Sequence, residues 1–182
     1  MDIGMKRGTV FLVEHQPAWE REAQETIAEI QAALEGLNAD VEHVGSTSVK
    51  SIRAKPIIDI AVAVDDFDEV ISRSERLAKH HIVFRKNASP EQLLYVKGDC
   101  EADTRTHHIH VVLKGSGEWK NYLNFRDYLN ANGRAALEYE AVKARLAEMY
   151  PNDRGAYTAG KGETVSRLLR EAAIWRGQNP EE

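Results

Sequence analysis

The chain has one cysteine, Cys100, in 182 residues. A single thiol excludes an internal disulfide and a cysteine-built zinc cage. That fits a reducing compartment. No arrangement that would activate Cys100 as a nucleophile is readable around it. Long apolar runs are also missing: none reaches the roughly 20 residues a membrane span requires. The opening MDIGMKRGTV is too short and too polar to read as a secretory leader, so the expectation is a cytoplasmic protein without membrane contact. Positive charge is in deficit. Lys and Arg number 24 against 29 Asp and Glu, a formal net charge of -5. That argues against a general nucleic-acid-binding surface, though a local basic patch is compatible with it. Repeats, linkers and low-complexity segments are absent too. The expectation is one domain over 1–182, long enough for a sizeable core. Oligomeric state is not readable.

What is present centres on Val41 to Val64, VEHVGSTSVKSIRAKPIIDIAVAV. Val41 to Val44 is a brief strand-like run that stops at Gly45. Gly45-Ser46-Thr47-Ser48 is a turn rich in hydroxyls and backbone N–H groups, suited to holding an anion. Pro56 opens a second run, Ile57 to Val64, dominated by β-branched residues and read as a strand. Asp59 lies inside it. An ionised carboxylate in so apolar a strand is costly unless a metal, a basic group or good hydrogen bonds meet it.

These residues resemble the nucleotidyltransferase superfamily, whose signature is a Gly-Ser turn followed by a strand bearing Asp-x-Asp or Asp-x-Glu. More closely, they are similar to the GrpB family, also called UPF0157. The similar run is Glu42-His43-Val44-Gly45-Ser46-Thr47-Ser48-Val49, a spacer, then Ala54-Lys55-Pro56-Ile57-Ile58-Asp59-Ile60. An Arg-x-x-His-x-His run of the family matches Arg105, His108 and His110. A later segment of the family is similar to WKNYLNFRDYL, and the family has a lysine near Lys161.

The resemblance implies an α/β (α+β) fold: a nucleotidyltransferase-like mixed β-sheet flanked by helices, with a helical C-terminal part. It places strands in 1–114 and helices in 115–182. It also implies a nucleotide or other phosphate-bearing small molecule as partner, held by Gly45, Ser46, Thr47, Ser48, Lys55, Arg105 and Lys161. A divalent metal (magnesium, manganese or zinc) is the implied cofactor, with Asp59, Glu42, His43, His108 and His110 as its candidate ligands. Asp59, His108 and His110 are the candidate catalytic residues.

The remaining chain is read from its periodicity. Thr9 to Glu14 reads as a first strand or an extended arm. Pro17 suits the first turn of a helix over Ala18 to Leu34, with Trp19 a core anchor. Asp66 and Glu69 suggest a capping box that starts a helix running to Lys79. Asp65, Asp66 and Asp68 then belong to the cap and its solvated face, and His80 and His81 to the helix end. Strands are expected at Ile82 to Lys86, Leu93 to Lys97 and His107 to Leu113, with a polar turn over Gly98 to Thr106. Period two puts His108, His110 and Val112 on one face and His107, Ile109 and Val111 on the other. Three helices should follow. Trp119, Tyr122, Phe125 and Leu129 line the first, Leu137, Tyr139, Val142, Leu146 and Met149 the second, and Val165, Leu168, Leu169, Ala172 and Ile174 the third. Their aromatics are expected in the core. Lys161 faces the site or is a solvated loop residue.

The pattern departs from two-metal nucleotidyl transfer in one place. Two residues after Asp59, on the same strand face, stands Ala61 instead of a second carboxylate. Histidines supplying the missing ligands would favour zinc, manganese, iron or nickel over magnesium. Three functions stay open: a nucleotidyltransferase-like enzyme acting on a nucleotide and a small acceptor, a non-catalytic nucleotide- or phosphate-binding module, and a metal-dependent phosphoryl or hydrolytic enzyme.

Overall fold

The computed structural model describes residues 3–99 and 101–179. Cys100 falls outside them. The architecture is mixed α/β. A five-stranded sheet has the order β2 (Asp40–Val44), β3 (Ile58–Val64), β7 (His107–Leu113), β5 (Gln92–Lys97), β4 (Ile82–Ser89). β3 and β7 run parallel at its centre, and the other pairs are antiparallel. β1 (Met5–Lys6) and β6 (Thr104–Arg105) form a separate small ribbon. No helix among the described residues is long and apolar enough to cross a membrane.

The two faces of the sheet differ because alternate side chains point opposite ways. One face carries Ile58, Ile60, Val62, Ile109, Val111, Leu93 and Tyr95. It packs on Trp19, Ala23, Ile27 and Ile30 of helix α1 (Ala18–Ala33) in one apolar cluster. Trp19 is the anchor its spacing predicts, 1% exposed. The other face carries Asp59, Ala61, His108 and His110, and the C-terminal helices stand over it. These are α4 (Gly117–Ala131), α5 (Gly133–Met149), α6 (Arg154–Gly160) and α7 (Gly162–Gln178). Their own core gathers Leu129, Ala136, Tyr139, Leu168 and Ala172 with Val49 and Ile52, which ties the helical part to the segment after the Gly-Ser turn.

Of the two readings of Thr9 to Glu14, the extended arm holds, with one bridge, Val13 to Ala54. Several elements differ from their sequence reading. Asp66 does cap a helix, accepting from the Asp68 N–H at 2.9 Å. That helix breaks in two, α2 (Phe67–Ile71) and α3 (Ser74–Ala78). The Ser72 hydroxyl and the Arg73 guanidinium both donate to the Glu69 carbonyl, and such local bonds compete with helical ones. The polar turn before β7 contains β6. Four C-terminal helices replace the expected three, because α6 forms ahead of Lys161. Leu137, Met149 and Ile174, read as helix core positions, are 60%, 57% and 64% exposed.

The link between β2 and β3 sets up the site. Gly45 ends β2 with φ +72°, and residues 46–48 make one 3-10 turn. A Cβ on Gly45 would lie 2.6 Å from Asp59 Oδ2 and 2.8 Å from Asp59 Cβ. Backbone conformation and space therefore both require glycine here. We expect Gly45→Ala to cost about 1–3 kcal/mol. Thermal denaturation should show a melting temperature several degrees lower, and an unchanged one would mean that the turn relaxes freely.

A candidate phosphate and metal site beside Asp59

In register, Asp59 lies between Val44 on β2 and His108 on β7, and His110 lies beside Ala61. The parallel pairing brings both imidazoles to the carboxylate. His108 Nδ1 and His110 Nε2 each lie 3.2 Å from Asp59 Oδ1. Each ring is fixed from behind. Arg154 Nη2 meets His108 Nε2 at 3.0 Å. Gln92 Nε2 meets His110 Nδ1 at 2.8 Å, and the Tyr122 hydroxyl donates to Gln92 Oε1 at 3.3 Å. A guanidinium only donates. His108 must therefore accept through Nε2 and carry its proton on Nδ1, toward Asp59. With the Gln92 amide so oriented, His110 likewise donates from Nε2.

Burial works to raise the Asp59 carboxyl, but the hydrogen bonds from His108 and His110 outweigh it and hold its pKa well below the ordinary value. Burial pushes His108 down, assisted by the charges of Arg154 and His110 and opposed by Asp59. The carboxylate thus stays ionised, and His108 meets it as a neutral donor.

The turn lies next to it. Ser48 Oγ donates to the Gly45 carbonyl at 2.7 Å, closing the turn. The Thr47 hydroxyl is buried and bonded to His43 Nε2 at 3.0 Å. Of the three hydroxyls, only that of Ser46 has no partner among the described residues, and it lines a cleft of about 270 Å³ with Gly45, Lys55, Asp59, His110, Lys143 and Lys161. Three lysine side chains therefore share a cavity with one carboxylate. Lys55 and Lys161 lie 5.0 and 4.9 Å from the centre of the Tyr157 ring, and Lys143 lies 4.8 Å from that of Tyr139. Lys143 is 1% exposed and donates to the Arg53 carbonyl at 2.6 Å. Burial, then the charges of Arg154 and Lys161, lowers Lys55 to about 7. Burial, then Lys161, lowers Lys143 to about 7.

Of the residues singled out from sequence, the structure brings together Gly45, Ser46, Lys55, Asp59, His108, His110 and Lys161. Thr47 and Ser48 build the turn from within. Glu42 shares the Asp59 face but pairs with Arg126 at 2.8 Å, near the edge of the sheet. His43 occupies the opposite face, beside Thr47 and 3.7 Å from Glu20. The structure brings neither into the Asp59 cluster. Arg105 lies near Arg154, with Asp103 at 3.8 Å, and does not line the cleft. Lys143, Arg154, Gln92, Tyr122 and Tyr157 were not singled out. Lys143 alone left a signal: it follows Tyr139 by four residues and precedes Leu146 by three, a charge on an apolar helix face. Tyr122 and Phe125, read as core, line a cleft.

The donor set fits a cation. One atom each from Asp59, His108 and His110 lies within 4.8 Å of the others. Ligands about 2.1 Å from a tetrahedral zinc stand about 3.4 Å apart, close to the 3.2 Å imidazole–carboxylate separations. Ligation needs bare imidazole nitrogens. His110 could supply one if the Gln92 amide turned over, but His108 could do so only if Arg154 withdrew.

Comparison with known proteins places this geometry. The GrpB protein family model matches residues 9–171. Glutamate-rich protein GrpB of Alkalihalophilus pseudofirmus is 37% identical over 172 residues, spanning 93% of this chain and 99% of that one. The crystal structure of conserved protein GrpB from Enterococcus faecalis superposes with a TM-score of 0.82 at 29% identity, covering 91% of this chain and 99% of that one. The Cid1 poly(U) polymerase shares the fold at a TM-score of 0.54 and 13% identity, over 74% of this chain and 44% of the polymerase. A nucleotidyltransferase-like sheet, a Gly-Ser turn against a strand aspartate and a match over most of the chain agree: this chain belongs to the GrpB family.

Proposed function

We propose that the cleft binds a nucleotide or related phosphate compound and that the protein is a nucleotidyltransferase-like enzyme acting on a small acceptor. One observation carries this reading: an ionised Asp59 held by two imidazoles faces Lys55, Lys143 and Lys161 across one cavity. The lysines have no carboxylate of their own in the cavity besides Asp59. A polyanion would supply that charge. Ser46 would donate its hydroxyl to a phosphate oxygen beside the turn, and the lysines would take the remaining phosphate charge. Asp59, His108 and His110 would hold a divalent metal, with manganese or zinc suiting them better than magnesium. When bound, that metal would supply Lewis-acid polarisation of a phosphoryl oxygen. A second reading, a binding module without transfer, draws on Ala61, which leaves Asp59 the lone carboxylate of its strand face.

Titration with nucleoside triphosphates in manganese buffer tests the reading directly. Ser46→Ala should weaken binding by about tenfold or more, the loss of one hydrogen bond to a charged group. Asp59→Ala should abolish metal-dependent transfer. Unaltered affinity in Ser46→Ala together with unaltered transfer in Asp59→Ala would remove the cleft from function.

The metal assignment has its own check. Zinc or manganese should bind the wild type, more weakly as imidazole protonates at acidic pH, and should not bind the His108→Ala, His110→Ala double variant. Equal binding by both proteins would leave the histidines as hydrogen-bond donors to Asp59 and nothing more.

Lys55 and Lys143 give a proton signature. Their depressed pKa values of about 7 leave each amine part neutral at pH 7.5. An adjacent phosphate favours the ammonium form and raises both pKa values. Binding at pH 7.5 should therefore take up protons, seen as a dependence of the calorimetric enthalpy on buffer ionisation. At pH 5.5 both amines are already charged and the uptake should vanish. An equal enthalpy in all buffers at pH 7.5 would place the anion elsewhere.

A further inference from the structure

A second cavity of about 350 Å³ opens off the first and shares Gly45, Phe125, Tyr139 and Lys161 with it. That is the lower end of the size range of small-molecule sites. Helix α4 provides one wall. Glu118, Asn121, Tyr122 and Phe125 follow one another at helical spacing and all line the cavity, while Val165 and Leu169 of α7 line it from across. The Phe125 and Tyr139 rings meet edge to face at 5.4 Å beside the junction with the phosphate cleft. The annex is thus apolar and aromatic next to the cations and polar farther along α4.

The polar end carries two half-buried side chains, Glu118 and Asn121. Neither the Glu118 carboxylate nor the Asn121 amide has a hydrogen-bond or ion-pair partner among the described residues. Glu118 sits in the first turn of α4, where any acid would suit the helix dipole. Asn121, one turn on, gains nothing from that position. Together they offer a carboxylate that only accepts and an amide that both donates and accepts.

We propose that this annex is a base-recognition subsite and that it selects guanine, an inference that rests on phosphate binding in the adjoining cleft. A flat base would lie between Phe125 and the aliphatic wall of α7, its phosphates reaching Lys161 and the Gly45 turn. Guanine presents N1–H and N2–H side by side, a pair of donors that one carboxylate accepts together. Its O6 is an acceptor for the Asn121 amide. Hypoxanthine keeps N1–H and O6 but lacks the amine. Uracil sets its single N–H between two carbonyls, which a carboxylate repels. A wrong base would leave the Glu118 carboxylate without one or both of these donors.

The test is calorimetric titration of GTP, ITP, UTP and inorganic tripolyphosphate into the whole protein in manganese buffer, for wild type and Glu118→Gln. The wild type should bind GTP about tenfold or more tighter than ITP or UTP. Glu118→Gln, nearly isosteric, should lose that preference while its affinity for tripolyphosphate stays level. Loss of a dipole contribution alone would lower the melting temperature and leave the base preference intact. Equal wild-type affinity for GTP, ITP and UTP, or a preference that survives in Glu118→Gln, would overturn the assignment. Tripolyphosphate binding without base preference would sink the base subsite and spare the phosphate cleft. Base preference without tripolyphosphate binding would do the reverse, and failure of every probe to bind the wild type would end both.

Discussion

The structure turns on one carboxylate. Asp59 stands between Ile58 and Ile60, both fully buried, in the second strand of the sheet. Removing an ion from water costs several kcal/mol unless good partners meet it. His108 and His110 meet it, and both are anchored in turn. Arg154 reaches His108 from α6, and Tyr122 reaches His110 through Gln92 from α4. Two of the four helices over this face are thus tied to the sheet through the hydrogen bonds of Asp59. The turn on its other side must be glycine because the carboxylate fills the space a side chain would need. Turn, sheet and helices therefore meet at one group, and each constrains the others.

The two faces of β7 show how the sheet separates structure from chemistry. His107 and His108 are neighbours in sequence with opposite surroundings. His107 points toward α1, where its Nε2 lies 3.1 Å from the Thr26 hydroxyl, and Lys97 joins Thr26 to Glu29. Burial first, then the charge of Lys97, lowers its pKa to about 4, so it is a neutral member of the packed face. His108 points into the cleft and meets a charge instead. A shift of one residue in register would exchange the two. The apolar packing of Ile109 and Val111 on α1 fixes that register, so the core also decides which histidines reach Asp59.

Much of the sheet side of the site was legible because alternation is a local property. Asp59 in an apolar run, two histidines two residues apart, and the Gly-Ser turn each carry their geometry in their spacing. That the strands of Asp59 and the histidines are parallel neighbours was not readable from spacing. His43 shows the limit of reading by proximity. It is adjacent to the turn in sequence, yet β2 alternates, and its side chain goes to the α1 face with Thr47. The helical side was harder still. Lys143, Arg154, Tyr122 and Tyr157 come from three helices and are separated by up to 35 residues of chain, and only tertiary packing puts them around Asp59 and its cleft. Helix α6 escaped notice because seven residues, two of them glycine, carry little periodic signal. Its presence is what turns Lys161 inward, over the Tyr157 ring.

The charge balance of the cleft connects these points. A protein of net charge -5 concentrates Lys55, Lys143, Lys161 and Arg154 around a single aspartate. Burial first, then like charges this close, make Lys55 and Lys143 hold their protons weakly. Arg154 keeps its charge despite burial, since a guanidinium has no accessible neutral form. It faces His108 from the side opposite Asp59, so the imidazole is bound between a cation and an anion. A metal ligated by His108 Nδ1 would put a second cation across the same ring, and the imidazole would have no lone pair left to offer Arg154. A metal at that nitrogen and Arg154 would therefore compete through His108.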